Sequence, residues 1–197
     1  AIEPRSADGR RRWRVELEHG DTVEAAWVVL STGLASADLL RPLGLERPLE
    51  PVLGQAIELE GTDDCLGPEE RCPGREWPGV VVWRGINLIP RPDRPGGRRF
   101  WIGATLEPGE RADAQAPRRL QDLDGAAPAW LRRARLIRCW QGVRPRPVGR
   151  PAPLLEEIAP GLLLTTGHYR NGVLLAPASA AWVWQRIEAT ATPTPSP

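Results

Sequence analysis

A chain of 197 residues with 41% hydrophobic content can bury one core or two small ones, and its formal net charge of +1, from 26 Lys+Arg against 25 Asp+Glu, gives no global reason to bind nucleic acid or an anionic membrane. All the basic residues are arginine. No apolar run approaches membrane-spanning length and no signal peptide is visible, so a soluble cytoplasmic protein is the default expectation. Cys65, Cys72 and Cys139 lack CxxC spacing, and neither histidine lies close to one in sequence, which argues against a metal site and against a disulfide framework.

In chain order, Trp13 to Leu17, His19-Gly20-Asp21 and Thr22 to Ala25 read as a hairpin of two short strands. Ala26-Trp-Val-Val-Leu is a continuous apolar strand of the kind buried on both faces of a parallel sheet. It ends at Thr32-Gly33, and a short helix follows over Ala35 to Leu40. The proline-rich segment from Arg41 to Pro51 is a connection, after which a strand begins at Pro51. Residues Gly61 to Gly79, with five acidic residues, two cysteines and three prolines, read as a surface loop. Three strands are expected at Val80 to Arg84, Ile86 to Arg91 and Phe100 to Thr105, with Arg91 to Arg99 closing a hairpin between the last two. Helical stretches at Ala116 to Leu123 and Pro128 to Arg135 precede a strand from Leu136 to Arg144.

The last third of the chain carries the chemistry. An apolar run, Leu162-Leu163-Leu164, leads through Thr165-Thr166-Gly167 into a polar loop and then a helix over about Gly172 to Ala189. A strand, glycine turn and helix start leave free backbone N–H groups at the positive end of a helix, where an anionic group can be held; an ordinary capped turn is the competing reading. The helix sets Val173, Ala180, Trp184 and Ile187 on one face, and Pro177 fits best in its first turn. The tail from Thr190 is expected to be disordered.

The loop Gly167-His168-Tyr169-Arg170-Asn171-Gly172-Val173-Leu174-Leu175-Ala176-Pro177 resembles the C-terminal flavin loop of the D-amino-acid oxidase and glycine oxidase family. A second signature, Trp140-Gln141-Gly142-Val143-Arg144-Pro145 followed by Gly149-Arg150-Pro151, resembles the segment that family places just upstream. The resemblance covers most of the chain between Trp13 and Ile187 and implies an α/β fold: the C-terminal half of a two-domain FAD-binding architecture. Residues 1–44 and 146–190 would form part of the nucleotide domain, 45–145 a mixed, largely antiparallel substrate domain, and 191–197 a tail. The family's Gly-x-Gly-x-x-Gly turn for the FAD pyrophosphate is not found in these residues, so the implied partner is a missing N-terminal FAD-binding half.

By the same resemblance, Thr32, Gly33 and the run Gly167, His168, Tyr169, Arg170, Asn171, Gly172, Val173 and Leu174 would contact FAD, with His168 contributing through its backbone. Arg144 would anchor a substrate carboxylate, with Arg170 and Asn87 on the substrate side. Asn87 departs from the tyrosine that amino-acid-oxidising relatives often present there, and its amide keeps hydrogen-bonding capacity without an aromatic ring. No catalytic acid–base residue is assigned, since the cofactor carries the hard step. The implied reaction is oxidation of a small amino acid or secondary amine to an imine with peroxide release, in glycine oxidases serving thiamine biosynthesis. The chain alone is expected to be inactive, and a homo-oligomer is compatible with the resemblance. The alternatives are the flavin portion of a tRNA-modifying oxidase, against which the near-neutral charge counts, and a truncated non-catalytic scaffold.

Overall fold

The structure is a computed structural model that describes residues 1–7, 10–61, 79–91 and 99–191, and the chain divides into two units, Ala1–Pro51 with Arg144–Pro197 and Val52–Val143. The extended loop expected at 61–79, most of the 91–99 connection and the tail lie largely outside the described residues, as do Cys65 and Cys72. Cys139 is an exposed free thiol.

In the first unit the hairpin read from sequence is β2 (Arg10–Glu16) and β3 (Thr22–Ala25), with Trp13 opposite Ala25. A strand not anticipated, β1 (Ile2–Ala7), pairs antiparallel with β2. Its Ile-Glu-Pro-Arg-Ser-Ala sequence is a poor strand former, but at a sheet edge Pro4 removes no ladder hydrogen bond that a neighbour needs. Trp13 is buried and donates its indole N–H to the Pro160 carbonyl at 3.1 Å, tying this sheet to the C-terminal strands.

A second sheet, in the order β11-β12-β4, holds β4 (Val28–Leu30), β11 (Leu154–Ala159) and β12 (Leu162–Thr166). β12 is antiparallel to β11 and parallel to β4, with Leu162, Leu163 and Leu164 beside Val28, Val29 and Leu30. Leu30, Leu162 and Leu164 face a core with Ile2, Trp13, Leu154 and Leu40 of helix α1 (Ala35–Leu40). β4 is parallel as the apolar run implied, yet it is not enclosed: Val29 is 37% exposed, and β4 ends the sheet. Helix α4 (Gly172–Ala191) starts where expected but has Pro177 in its second turn rather than its first. The missing N–H leaves the Val173 carbonyl without its helical donor, tolerable where Val173 is exposed to water.

The second unit is built on a sheet ordered β10-β5-β8-β7-β6, made of β5 (Leu49–Glu60), β6 (Val81–Trp83), β7 (Ile86–Pro90), β8 (Arg99–Gly103) and β10 (Arg135–Pro147), with the short β9 (Glu107–Pro108) against β5. Strands β5 and β10 extend past the unit boundary. β6 and β7 are joined by Arg84-Gly85, both at positive φ, the geometry a two-residue hairpin requires. Antiparallel register aligns Leu88, Ile102 and Ile57 on one face. Helices α2 (Ala116–Asp122) and α3 (Ala129–Arg133) cover that face, adding Leu120, Trp130 and Leu131, with the Phe100 and Trp130 rings 5.2 Å apart.

The opposite face holds a carboxylate. Glu58 is 2% exposed; Arg138 Nε donates to it at 2.7 Å, and Arg99 lies 3.6 Å away. Burial is the largest influence and works against the charge, yet the arginines, together with the nearby Trp101 indole, outweigh it and hold the Glu58 carboxyl below its ordinary range. A lowered folded-state value stabilises the fold above the unfolded value, and that contribution is lost as pH falls through the folded one. Urea unfolding of the wild type and Glu58→Gln should therefore show the variant less stable by about 1–3 kcal/mol at neutral pH, with the gap closing below about pH 4. A gap that stays constant to lower pH would remove the charge from this account.

Candidate functional site

Strands β4 and β12 of the first unit end beside Arg144–Pro147, the end of β10 that belongs to this unit. β4 runs into Thr32-Gly33; Gly33 takes φ +61°, and its carbonyl accepts from the Thr166 hydroxyl at 3.1 Å and from the Ser36 amide at 3.2 Å. The Thr32 hydroxyl is engaged with Ser36 Oγ at 2.9 Å, so what this position offers a ligand is backbone. β12 ends at Gly167, φ +67°, where an added Cβ would stand 2.7 Å from Pro147 Cγ. Pro145 is the nearest neighbour of Gly33, so alternate residues of β10 lie against the two glycine turns. Side chains alternate along a strand, so Arg144 and Arg146 project to its other side.

The loop beyond Gly167 is held at both ends. The His168 ring nitrogen Nε2 lies 2.8 Å from the hydroxyl of buried Ser179, about two turns into α4, so this side chain does positional work beyond the backbone role expected of it. Tyr169 adopts φ +54° with the Arg146 guanidinium 5.7 Å from its ring centroid. Arg146 is ion-paired with Glu50, whose hydrogen bond is the main cause of its raised pKa. Asn171 N–H returns to the His168 carbonyl, and the first helical bond of α4 is Leu175 N–H to the Asn171 carbonyl at 2.9 Å. The amides of Gly172, Val173 and Leu174 thus precede any intrahelical acceptor.

The expected residues Gly33, Arg144, Gly167, His168, Tyr169, Arg170, Asn171, Gly172, Val173 and Leu174 all belong to this unit; Arg144 is half-buried, while Arg170 and Asn171 are exposed. Asn87 belongs to the second unit, where its Nδ2 donates to the Gly103 carbonyl at 3.2 Å. Gly103 is required there, since a Cβ would fall 2.6 Å from that of Ala56. The following turn is pinned by Glu107, which accepts from Thr105, from Gln55 at 3.0 Å and from the Asp113 amide at 2.8 Å. Burial opposes the Glu107 charge most strongly, but these donors prevail and lower its pKa. Among the described residues no group of three or more His, Cys, Asp or Glu could hold a metal, and no helix is long and apolar enough to cross a membrane.

Arg146, Ser179 and the Glu107 cluster were not singled out from sequence. An Arg-Pro-Arg-Pro repeat is the one local signal for the first, because it puts both arginines on one side of a strand. A groove of about 500 Å³ between β4, β12 and α4 was also not expected; it is lined by Val29, Thr165, His168, Ala180, Val183 and Trp184, among others.

Comparison with known proteins finds relatives along most of the chain. The family model described as FAD dependent oxidoreductase matches residues 1–186. A glycine oxidase of Pseudomonas putida is 38% identical over 164 residues, covering 77% of this chain and 39% of the relative; one of Pseudomonas aeruginosa is 35% identical over 184 residues, covering 87% and 44%. The crystal structure of glycine oxidase from Geobacillus kaustophilus superposes with a TM-score of 0.71 at 26% identity, covering all of this chain and 50% of that one. The chain thus spans half or less of the length of these relatives.

Gly167→Ala should cost about 1–3 kcal/mol, because alanine is strained at positive φ and its Cβ would meet the Pro147 ring, which cannot swing aside. Chemical denaturation checks this; a variant as stable as the parent would show that the β12 turn and β10 are not in close contact.

Proposed function

The chain belongs to the family of FAD dependent oxidoreductases, and from that premise we propose that it supplies the pyrimidine-side flavin loop and the carboxylate anchor of a glycine oxidase-like amine oxidase. The observation that carries this is the meeting of two glycine turns, the proline-flanked arginine strand and the start of α4 in one unit. The residues fit the cofactor: the α4 amides at Gly172, Val173 and Leu174 lack intrahelical acceptors, and Gly33 and Gly167 keep the strand ends free of side chains. FAD, when bound, supplies the two-electron acceptor for the amine's α-carbon hydrogen.

The chain's own groups do the rest. Backbone N–H groups at Gly172, Val173 and Leu174, at the positive end of α4, would offset negative charge at the pyrimidine edge of a bound flavin, while the Asn171 N–H is committed to the His168 carbonyl. Arg144 holds the substrate carboxylate through its planar fork, and Arg170 adds positive charge on the same side. In the second unit Asn87 has one donor committed to Gly103, and its Oδ1 keeps acceptor capacity. The product is an imine with peroxide formed by reoxidation in oxygen, and a role in thiamine biosynthesis follows from the likeness to glycine oxidases. No Gly-x-Gly-x-x-Gly turn occurs in these 197 residues, so in this reading the pyrophosphate cradle lies outside them and they are inactive by themselves.

Co-expression with the N-terminal half of the Pseudomonas putida glycine oxidase should give a flavin spectrum and peroxide with glycine, sarcosine or D-proline, whereas the chain alone should give neither. In that assembly Arg144→Ala should raise KM by about two orders of magnitude with a smaller change in kcat, and Arg144→Lys should fall between. An unchanged KM in Arg144→Ala would overturn the anchor assignment.

A further inference from the structure

The first turns of α4 are fastened to their unit by a polar pair, although apolar residues are at hand. Val173 is 91% exposed and Leu174 81%, and between Gly172 and Ser179 the buried residue is Ser179, whose hydroxyl lies 2.8 Å from His168 Nε2. The loop that this pair closes is strained. Tyr169 takes φ +54°, a conformation that a residue with a full side chain adopts seldom and keeps only where its surroundings fix it. Two side-chain contacts do so. One is the His168–Ser179 bond; the other is the Arg146 guanidinium, 5.7 Å from the Tyr169 ring centroid and itself paired with Glu50. Along the backbone, Asn171 N–H donates to the His168 carbonyl at 3.1 Å and Leu175 N–H to the Asn171 carbonyl at 2.9 Å. Gly172, Val173 and Leu174 lie between those two bonded amides.

We propose that His168 and Ser179 are positioning residues for the flavin: their hydrogen bond fixes the 168–171 loop before the cofactor arrives and so sets the direction of the Gly172, Val173 and Leu174 amides. The inference rests on the reading of this loop as the flavin loop, and adds to it a side-chain pair that acts through the backbone. His168 carries both the carbonyl that accepts from Asn171 and the ring that reaches Ser179, so one residue joins the turn of the loop to the helix about two turns further on. If the contact served packing alone, an apolar residue at 179 would serve without a polar atom to satisfy. A hydroxyl both donates and accepts, so this bond forms with either imidazole tautomer and with the imidazolium. Donors stabilise charge best when they are already in place, and a loop that must first be ordered weakens binding by the cost of ordering it.

The test follows amide hydrogen exchange by NMR in the full 197-residue chain and in Ser179→Ala, His168→Ala and His168→Gln, the last of which keeps a nitrogen donor at similar reach. Each alanine variant should speed exchange at Asn171 and Leu175 about three- to tenfold, the worth of one hydrogen bond, and the two combined should add nothing further. Leu163 and Leu164 of β12 should exchange as in the parent, and His168→Gln should regain most of the protection. His168→Phe, which keeps a ring and loses the nitrogen, replaces His168→Ala if circular dichroism shows that variant unfolded. The second readout is the reduction potential of the flavin bound when each form is co-expressed with the N-terminal half of the Pseudomonas putida glycine oxidase. The alanine variants should move it to more negative values and His168→Gln should leave it near the parent's, because the amides offset the charge of the reduced ring. Unchanged exchange at Asn171 and Leu175, equal acceleration at Leu163 and Leu164, or no recovery in His168→Gln would each overturn the proposal. A flavin-bound parent whose potential no variant moves overturns the positioning role and leaves the flavin-loop reading standing. A parent assembly that takes up no flavin removes that reading, and the proposal falls with it.

Discussion

Contact between the prolines of β10 and two glycine turns governs the first unit. At Gly167 the backbone is left-handed and a Cβ would overlap Pro147, so the residue is constrained both by conformation and by space. The consequence runs outward along the strand. With Pro145 and Pro147 committed to the glycines, period-two alternation puts Arg144 and Arg146 on the opposite side, and Arg146 is then close enough to stack on Tyr169. The loop that follows inherits its course from that contact, with His168 bonded to Ser179 at its far end.

The second unit answers a different demand. Its sheet is apolar on the side covered by α2 and α3, whereas the other side buries Glu58 and must neutralise it. Arginine suits this better than lysine, because a guanidinium can hydrogen-bond a carboxylate while its flat face rests on an indole; Arg91 lies 3.8 Å from the Trp101 ring centroid and Arg138 5.2 Å from that of Trp140. A chain without lysine can therefore use its tryptophans as partners for charge as well as core filling, which composition alone did not reveal.

What could be read from sequence followed the strength of local signals. β2, β3, β7, β8 and α1 were visible because alternation, glycine turns or apolar runs mark them within a few residues. β1 and β9 were not, since Ile2–Ala7 and Glu107–Pro108 become strands only through pairing with distant residues. The flavin-like loop was legible as a pattern of residue types, and its course through Thr166 to α4 is as read. Its supports were not, because Ser179 and Pro147 look ordinary until the fold brings them against His168 and Gly167. The reading of Pro177 failed for a simpler reason: first-turn preference was assumed, and an exposed helix tolerated the lost hydrogen bond.

The outward stripe of α4 is a different kind of mismatch. Periodicity put Val173, Ala180, Trp184 and Ile187 on one face without saying what that face meets, and the structure leaves Val173 and Trp184 exposed on it. The same holds for β4, whose unbroken apolar run suits a strand enclosed by neighbours although it ends its sheet here. Two elements reached by independent signals, one of period 3.6 and one a continuous run, thus place apolar residues on the same side of one unit. An accidental surplus of apolar residues would fall on either side of the sheet; here Val29 and Trp184 line a single groove, beside the loop where the family signature is most specific.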